Sequence, residues 1–259
     1  MAKRTFKTKA KDDIKPRVSA FIYGFPGAGK TYLARTLLGD ENLFPALIVV
    51  CDAGDMTIRD LINDETFVVA PGTFENLTAI FAELSGKNGG GFKSVFIDNL
   101  SELHRTALLD RARISSENKS RSEYEFTQND YGVARNQILA VVSAFATKLP
   151  DINVFATALA MPTIDEQTGR STVLPDLAGK LSVEVPGYFD LVAYLDVEAP
   201  KASEVRRAEK AGEPLPKLER VLVVNQTSST PIARNRGGTF TADIHNPCLD
   251  DIHRIMTQR

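Results

Sequence analysis

The chain has 259 residues, 43% apolar and 25% charged, with a formal net charge of −2, the make-up of a water-soluble globular protein large enough to bury a substantial core. That balance excludes a protein drawn onto nucleic acid by its overall field, and two cysteines without CxxC spacing, Cys51 and Cys248, exclude a disulfide framework and a thiolate metal cluster. No apolar run reaches the ~18 residues of a membrane span and the basic N-terminus has no apolar leader stretch, so a cytoplasmic protein of a reducing compartment is expected, without membrane partners.

Residues 1–17 carry Lys3, Arg4, Lys7, Lys9, Lys11, Lys15 and Arg17 with little apolar content and read as a flexible basic arm. Residues 18–259 read as one domain. RVSAFIYG is strand-like and KTYLARTLLGD helical. ALIVVCDA is a buried strand expected beside RVSAFIYG, and ETFVVAPG is a short one. FENLTAIFAELSG is helical, KSVFIDNL a strand and SELHRTALLDRAR a helix. From Tyr131 to Leu149, the residues Ile138, Val141, Val142, Phe145 and Leu149 recur at helical spacing before Pro150. INVFATALA, LVAYLDVE and RVLVVNQ complete the strands. Continuous β-branched runs separated by helices predict an α/β fold with a mostly parallel central sheet flanked by helices. Three stretches break this rhythm: residues 115–130 are polar and irregular, 161–180 form a long loop, and 199–217 are a charged hairpin or helical insertion.

The stretch GFPGAGKT, residues 24–31, meets every fixed position of G-x-x-x-x-G-K-[ST], between a strand and a helix. Gly24, Phe25, Pro26, Gly27, Ala28 and Gly29 form the binding loop; all but Pro26, which has no N–H, offer backbone N–H groups to phosphate oxygens, the glycines keeping side chains out of the way. The amide end of the helix that follows adds to the attraction. Lys30 reaches the β- and γ-phosphates of ATP, the Thr31 hydroxyl ligates Mg²⁺, and Tyr32 adjoins the loop. Asp98, ending the apolar strand SVFID, is the second candidate for holding the metal; its other reading is a cap on the next helix. A residue must also orient the attacking water, and the candidates are Glu102, four residues after Asp98, and the pair Asp52 and Asp55.

With these motifs in view, the chain resembles phage-encoded RecA-like P-loop ATPases, the group that includes Sak-type single-strand annealing proteins. The likeness spans roughly residues 18–245 and rests on YGFPGAGKTYLA, SVFIDNLSEL, LPDINVFATALA, PDLAGKLSVEVPGYFDLVAYL and ARNRGG. It implies a RecA-like P-loop NTPase core, Mg-ATP hydrolysis, and a ring or filament of identical subunits on single-stranded DNA. A phage single-strand-binding or replication protein is a further implied partner. By this resemblance Thr157 approaches the γ-phosphate, 161–180 is a DNA-binding loop, and Arg234 and Arg236 reach a neighbouring subunit's γ-phosphate. One departure stands out: where RecA proteins carry a water-orienting glutamate, this chain has Gly54.

Other residues fit nucleic acid by chemistry alone. Lys119, Arg121, Tyr124 and Phe126 combine cations with rings that stack on bases, and Arg170 and Lys180 flank the later loop. Their other reading is a solvated surface, as is that of Arg206, Arg207 and Lys210. His104, His245 and His253 have no metal-like spacing. Two further functions remain open from sequence: a non-hydrolysing nucleotide-binding loader or regulator of a replication protein, and a packaging or partition motor on double-stranded DNA.

Overall fold

A computed structural model describes residues 17–52, 54–63, 65–117, 125–149, 151–164, 169–230 and 232–257. Strand β1 (Ser19–Gly24) leads through the phosphate loop into α1 (Lys30–Leu33), then β2 (Ala46–Val50), β3 (Phe67–Pro71), α2 (Phe74–Leu84), β4 (Ser94–Asp98) and α3 (Leu100–Glu117). There follow α4 (Gln128–Lys148), β5 (Asn153–Ile164), β6 (Ser171–Pro175), α5 (Leu181–Glu184), β7 (Leu191–Glu198) and α6 (Ala202–Ala211). The described chain ends with β8 (Glu219–Val223), β9 (Arg234–Asn235), β10 (Ile244–His245) and α7 (Leu249–Thr257). The sheet order is β10-β8-β7-β1-β5-β4-β2-β3, and every pairing from β7 to β3 is parallel. β8, β9 and β10 join antiparallel at one edge, and β6 folds back on β5.

Both sheet faces are covered, which is why the strands read as unbroken apolar runs. Phe21, Tyr23, Val49, Ile97, Val154 and Ala156 face one core with Leu77, Leu103, Ile138 and Phe145 from α2, α3 and α4. Ala20, Ile22, Ile48, Phe96 and Phe155 face the other with Leu33 and Leu37 and with Leu249 and Ile252 of α7. Local chemistry sets the helix starts. Thr73 caps α2 through the Asn76 N–H, and Thr127 with Asp130 forms a reciprocal capping box on α4.

Several expectations need correction. The strand ALIVVCDA is not beside the P-loop strand: β1 lies between β5 and β7, and two strands separate it from β2. A strand's own residues encode burial, not its neighbour, so sequence proximity misled here. KTYLARTLLGD makes one α-turn and then a 3-10 helix over Ala34–Gly39. Residues 161–180 are not one long loop: β5 runs to Ile164 and pairs with β6 from Ala160↔Pro175 to Ile164↔Ser171, so the stretch begins as a hairpin. Met161, Pro162 and Ile164 are exposed, so this half of the strand stands out of the core although its residues are largely apolar, and Thr and Ile suit a twisted ribbon. The irregular stretch 115–130 is partly helical, since α3 continues to Glu117 and α4 starts at Gln128. Lys119, Arg121, Tyr124 and the basic arm through residue 16 lie outside the described residues. Arg17, which ends that arm, donates to the Ala146 carbonyl at 2.7 Å. The 199–217 insertion contains α6, the helical of its two expected forms.

Candidate functional site: the phosphate loop and its acids

The carboxyl ends of the parallel strands gather the candidate residues. The loop leaves β1 at Gly24, where a methyl group would lie 2.5 Å from the Leu195 carbonyl oxygen of β7, and only glycine fits. Gly27 and Gly29 adopt φ of 81° and 99°, the left-handed region that glycine enters freely. α1 is a single turn, so loop amides and Lys30, more than a helix dipole, define the anion-binding character here. Phe25, Pro26 and Gly27 are exposed and Ala28 is buried.

Lys30 is buried at 7% exposure, and its Nζ donates to the carbonyls of Gly24 at 2.8 Å and Phe25 at 3.0 Å. Burial lowers its pKa, while Asp98 and Asp52 oppose that shift. The Thr31 hydroxyl donates to one oxygen of Asp98, and the Thr157 hydroxyl donates to the other. Asp98 is 1% exposed. Burial, the largest influence, raises its pKa, and the two hydroxyls pull it back down. Thr157 is fully buried on β5, opposite Ile22 of β1.

A second network surrounds this one. Asp52 accepts from the Asn99 side-chain amide and from the Gly54 N–H, each at 2.8 Å. The Asn99 side-chain oxygen accepts from the Glu102 N–H at 2.9 Å, capping α3. A methyl on Gly54 would stand 3.4 Å from Thr31 Oγ1, so this loop reaches the hydroxyl although β2 is remote in the sheet. Asp55 is exposed at the head of a 3-10 helix, Gly54–Thr57, and Glu102 pairs with Arg105 at 3.1 Å. Cys51 beside them is a free thiol whose pKa is pushed up to about 12 by burial and the neighbouring carboxylates, which keeps it protonated.

Lys30, Thr31, Asp98 and Thr157 therefore come together with the loop, and Asp52 joins through Asn99. Arg234 and Arg236 do not. β9 pairs with Leu191 and Val192 at the start of β7, whereas the phosphate loop leaves β1 beside Leu195. Arg234 donates to the carbonyls of Pro186 at 2.6 Å and Phe189 at 2.8 Å, and Arg236 pairs with Asp190 at 3.1 Å. The sequence alone does not single out a further cation that touches the loop. Arg220, opposite Val197 in the β7–β8 pair, donates from Nε to the Ala28 carbonyl at 3.1 Å. The only hint was a basic residue opening an apolar strand.

The profile of the AAA domain family (AAA_24) matches residues 17–236. The chain belongs to that family. This AAA domain is thereby a member of a family of nucleotide-binding ATPases, and its mostly parallel sheet with the phosphate loop after β1 is the arrangement expected of a RecA-like P-loop core. Among solved structures it is similar to the flagellar accessory protein FlaH of Methanocaldococcus jannaschii, with 9% identity, TM-score 0.45, and coverage of 89% of this chain and 85% of FlaH. It is similar to the RadB recombinase, with 16% identity, TM-score 0.42 and coverage of 81% and 80%. It is also similar to a DnaB-like replicative helicase, with 15% identity, TM-score 0.49 and coverage of 90% of this chain and 56% of the helicase. No curated protein sequence matches the chain.

Proposed function

We propose that this AAA domain is an Mg-ATP-dependent ATPase of phage recombination or replication, working on single-stranded DNA as a ring or filament. The observation that carries the reading is the Thr31–Asp98–Thr157 cluster beside Lys30. A hydroxyl and a carboxylate in hydrogen-bond contact are hard oxygen donors suited to magnesium, and Thr31 with Asp98 would hold it. When bound, the ion neutralises charge building on the β- and γ-phosphates. Lys30 binds the phosphates, exchanging its loop carbonyls for phosphate oxygens. Thr157 holds Asp98 in orientation, and its strand continues without a break into the β5–β6 hairpin. That continuity supports a link between nucleotide and DNA, for which the exposed Met161 and Ile164 and the nearby Arg170 are the candidate contacts.

Asp52 is the acid best connected to the cluster and is the proposed water-orienting group, ahead of Asp55 and of Glu102, which pairs with Arg105 at the surface. One feature favours the loader or regulator instead: Asp52 already accepts two hydrogen bonds, and Gly54 offers no carboxylate of its own. Steady-state ATP hydrolysis with and without single-stranded DNA separates the two. Turnover that rises with single-stranded DNA and vanishes in Lys30→Ala supports the ATPase. Tight ATP binding with no turnover in either condition supports the loader, and stimulation by duplex DNA alone supports a motor.

A further inference from the structure

Among the described residues, Lys30 and Arg220 touch the phosphate loop and Arg35 lies over the adjoining Tyr32 ring, and their engagements differ. Lys30 is held by the Gly24 and Phe25 carbonyls. Arg35 forms a two-pronged pair with Asp60 at 2.5 and 2.7 Å. Arg220 uses only Nε, on the Ala28 carbonyl, and among the described residues its terminal amino groups have no carboxylate or other acceptor. Its side chain overlies Gly29, where any Cβ would collide with it, and its guanidinium carbon lies 5.1 Å from the centroid of the exposed Tyr32 ring. A guanidinium cannot shed its charge, and its fork matches phosphate oxygens. Here such a group, lacking a counter-charge, touches the backbone of a phosphate-binding loop.

We propose that Arg220 is a nucleotide-binding residue acting within its own subunit, and that its terminal amino groups take the α-phosphate. This rests on the nucleotide reading of the loop. The sheet order supplies the direction. Asp98 and Thr157, on β4 and β5, lie to one side of β1, and Arg220, on β8 beyond β7, lies to the other. A polyphosphate whose terminal groups sit at Thr31 and Asp98 extends its nucleoside end towards Tyr32 and Arg220. A contact at the α-phosphate serves triphosphate and diphosphate alike, so Arg220 sets how firmly the nucleotide is held, before and after hydrolysis.

Calorimetric titration with MgATP and MgADP tests this on wild type, Arg220→Ala and Arg220→Gln. Glutamine keeps the stem over Gly29 and an N–H for the Ala28 carbonyl but lacks the charge, which separates binding from support of the loop. Both variants should weaken both nucleotides by the same factor, about 10- to 100-fold for a charged hydrogen bond. Arg220→Gln should retain the wild-type Tm. Phosphorus NMR of bound ADP should show the α resonance displaced in Arg220→Gln and the β resonance in place. Wild-type affinity in Arg220→Gln, a loss confined to ATP, or equal displacement of both resonances would overturn the assignment. Absence of nucleotide binding in the wild type would instead defeat the reading of the loop itself.

Discussion

Asp98 is a carboxylate placed where the fold alone would not choose one. It is 1% exposed, and its charged form is held by two hydroxyls and the nearby Lys30. Removing a charge from such a place relieves desolvation even when hydrogen bonds are kept. Asp98→Asn, which can still accept from one threonine and donate to the other, should therefore raise the stability of the nucleotide-free protein by about 1 kcal/mol, ~2–4 °C in Tm, while abolishing ATP turnover. A lower Tm would mean that the carboxylate is structural. His104 gives the opposite kind of test. It is buried at the base of an open pocket of about 420 Å³ that Tyr131, Arg135 and Lys180 also line, and burial lowers its pKa against the weaker upward pull of Asp176. A depressed imidazole binds its proton more readily in the unfolded chain, so stability should fall as pH drops from the ordinary histidine value, ~6.5, down to the folded value. His104→Gln should flatten the Tm profile across that window, and an unchanged profile would assign the acid sensitivity elsewhere. At this scale the octapeptide and Asp98 were legible because each depends on local spacing. Arg220 was not, since its contact with the loop exists only once β8 has folded antiparallel against β7.

Elements were legible where a single period runs through them. The strands β1, β2, β4, β5 and β7 and the helices α2 and α4 follow from apolar runs, spacing and caps in the sequence. Adjacency is less so: the sequence suggests β2 beside β1, yet β4 and β5 come between them. The extension of β5 past Ala160 was hidden for a different reason. Its outer half leaves the core, and Met161 and Ile164 are 42% and 69% exposed, so buried periodicity no longer marks it. This half of β5 has a separable job in the proposed function. Replacing residues 162–173 by a two-residue type I′ turn keeps Thr157 and the core half of the strand. The variant should bind ATP as the wild type does and lose at least tenfold of any stimulation by single-stranded DNA. Full stimulation without the hairpin would exclude it as a DNA contact.

For the whole molecule, the separation of the two charged ends of the sheet constrains assembly. The phosphate loop opens at the carboxyl end of β1, and Arg234 and Arg236 are fixed at the start of β7. These arginines act on ATP only if the site belongs to another copy, set head to tail with this one. Such a contact is heterologous, and repeating it closes a ring or propagates a filament. Arg234 is committed to the Pro186 and Phe189 carbonyls, whereas Arg236, with 54% of its side chain exposed, is held among the described residues only by an exposed pair with Asp190 and a 3.4 Å contact to the Gly187 carbonyl. An exposed ion pair is worth about 0–1 kcal/mol, so a γ-phosphate can displace it. Turnover per subunit should therefore rise with protein concentration, and Arg236→Ala should keep ATP binding while losing about 10³-fold or more in rate, the scale of an arginine supplied in trans. Mixing Arg236→Ala with Lys30→Ala should restore part of the activity, because some interfaces then join an intact loop to an intact arginine. Co-assembly without rescue, or full activity in dilute monomer, would remove Arg236 from the catalytic site and leave it a surface partner of Asp190.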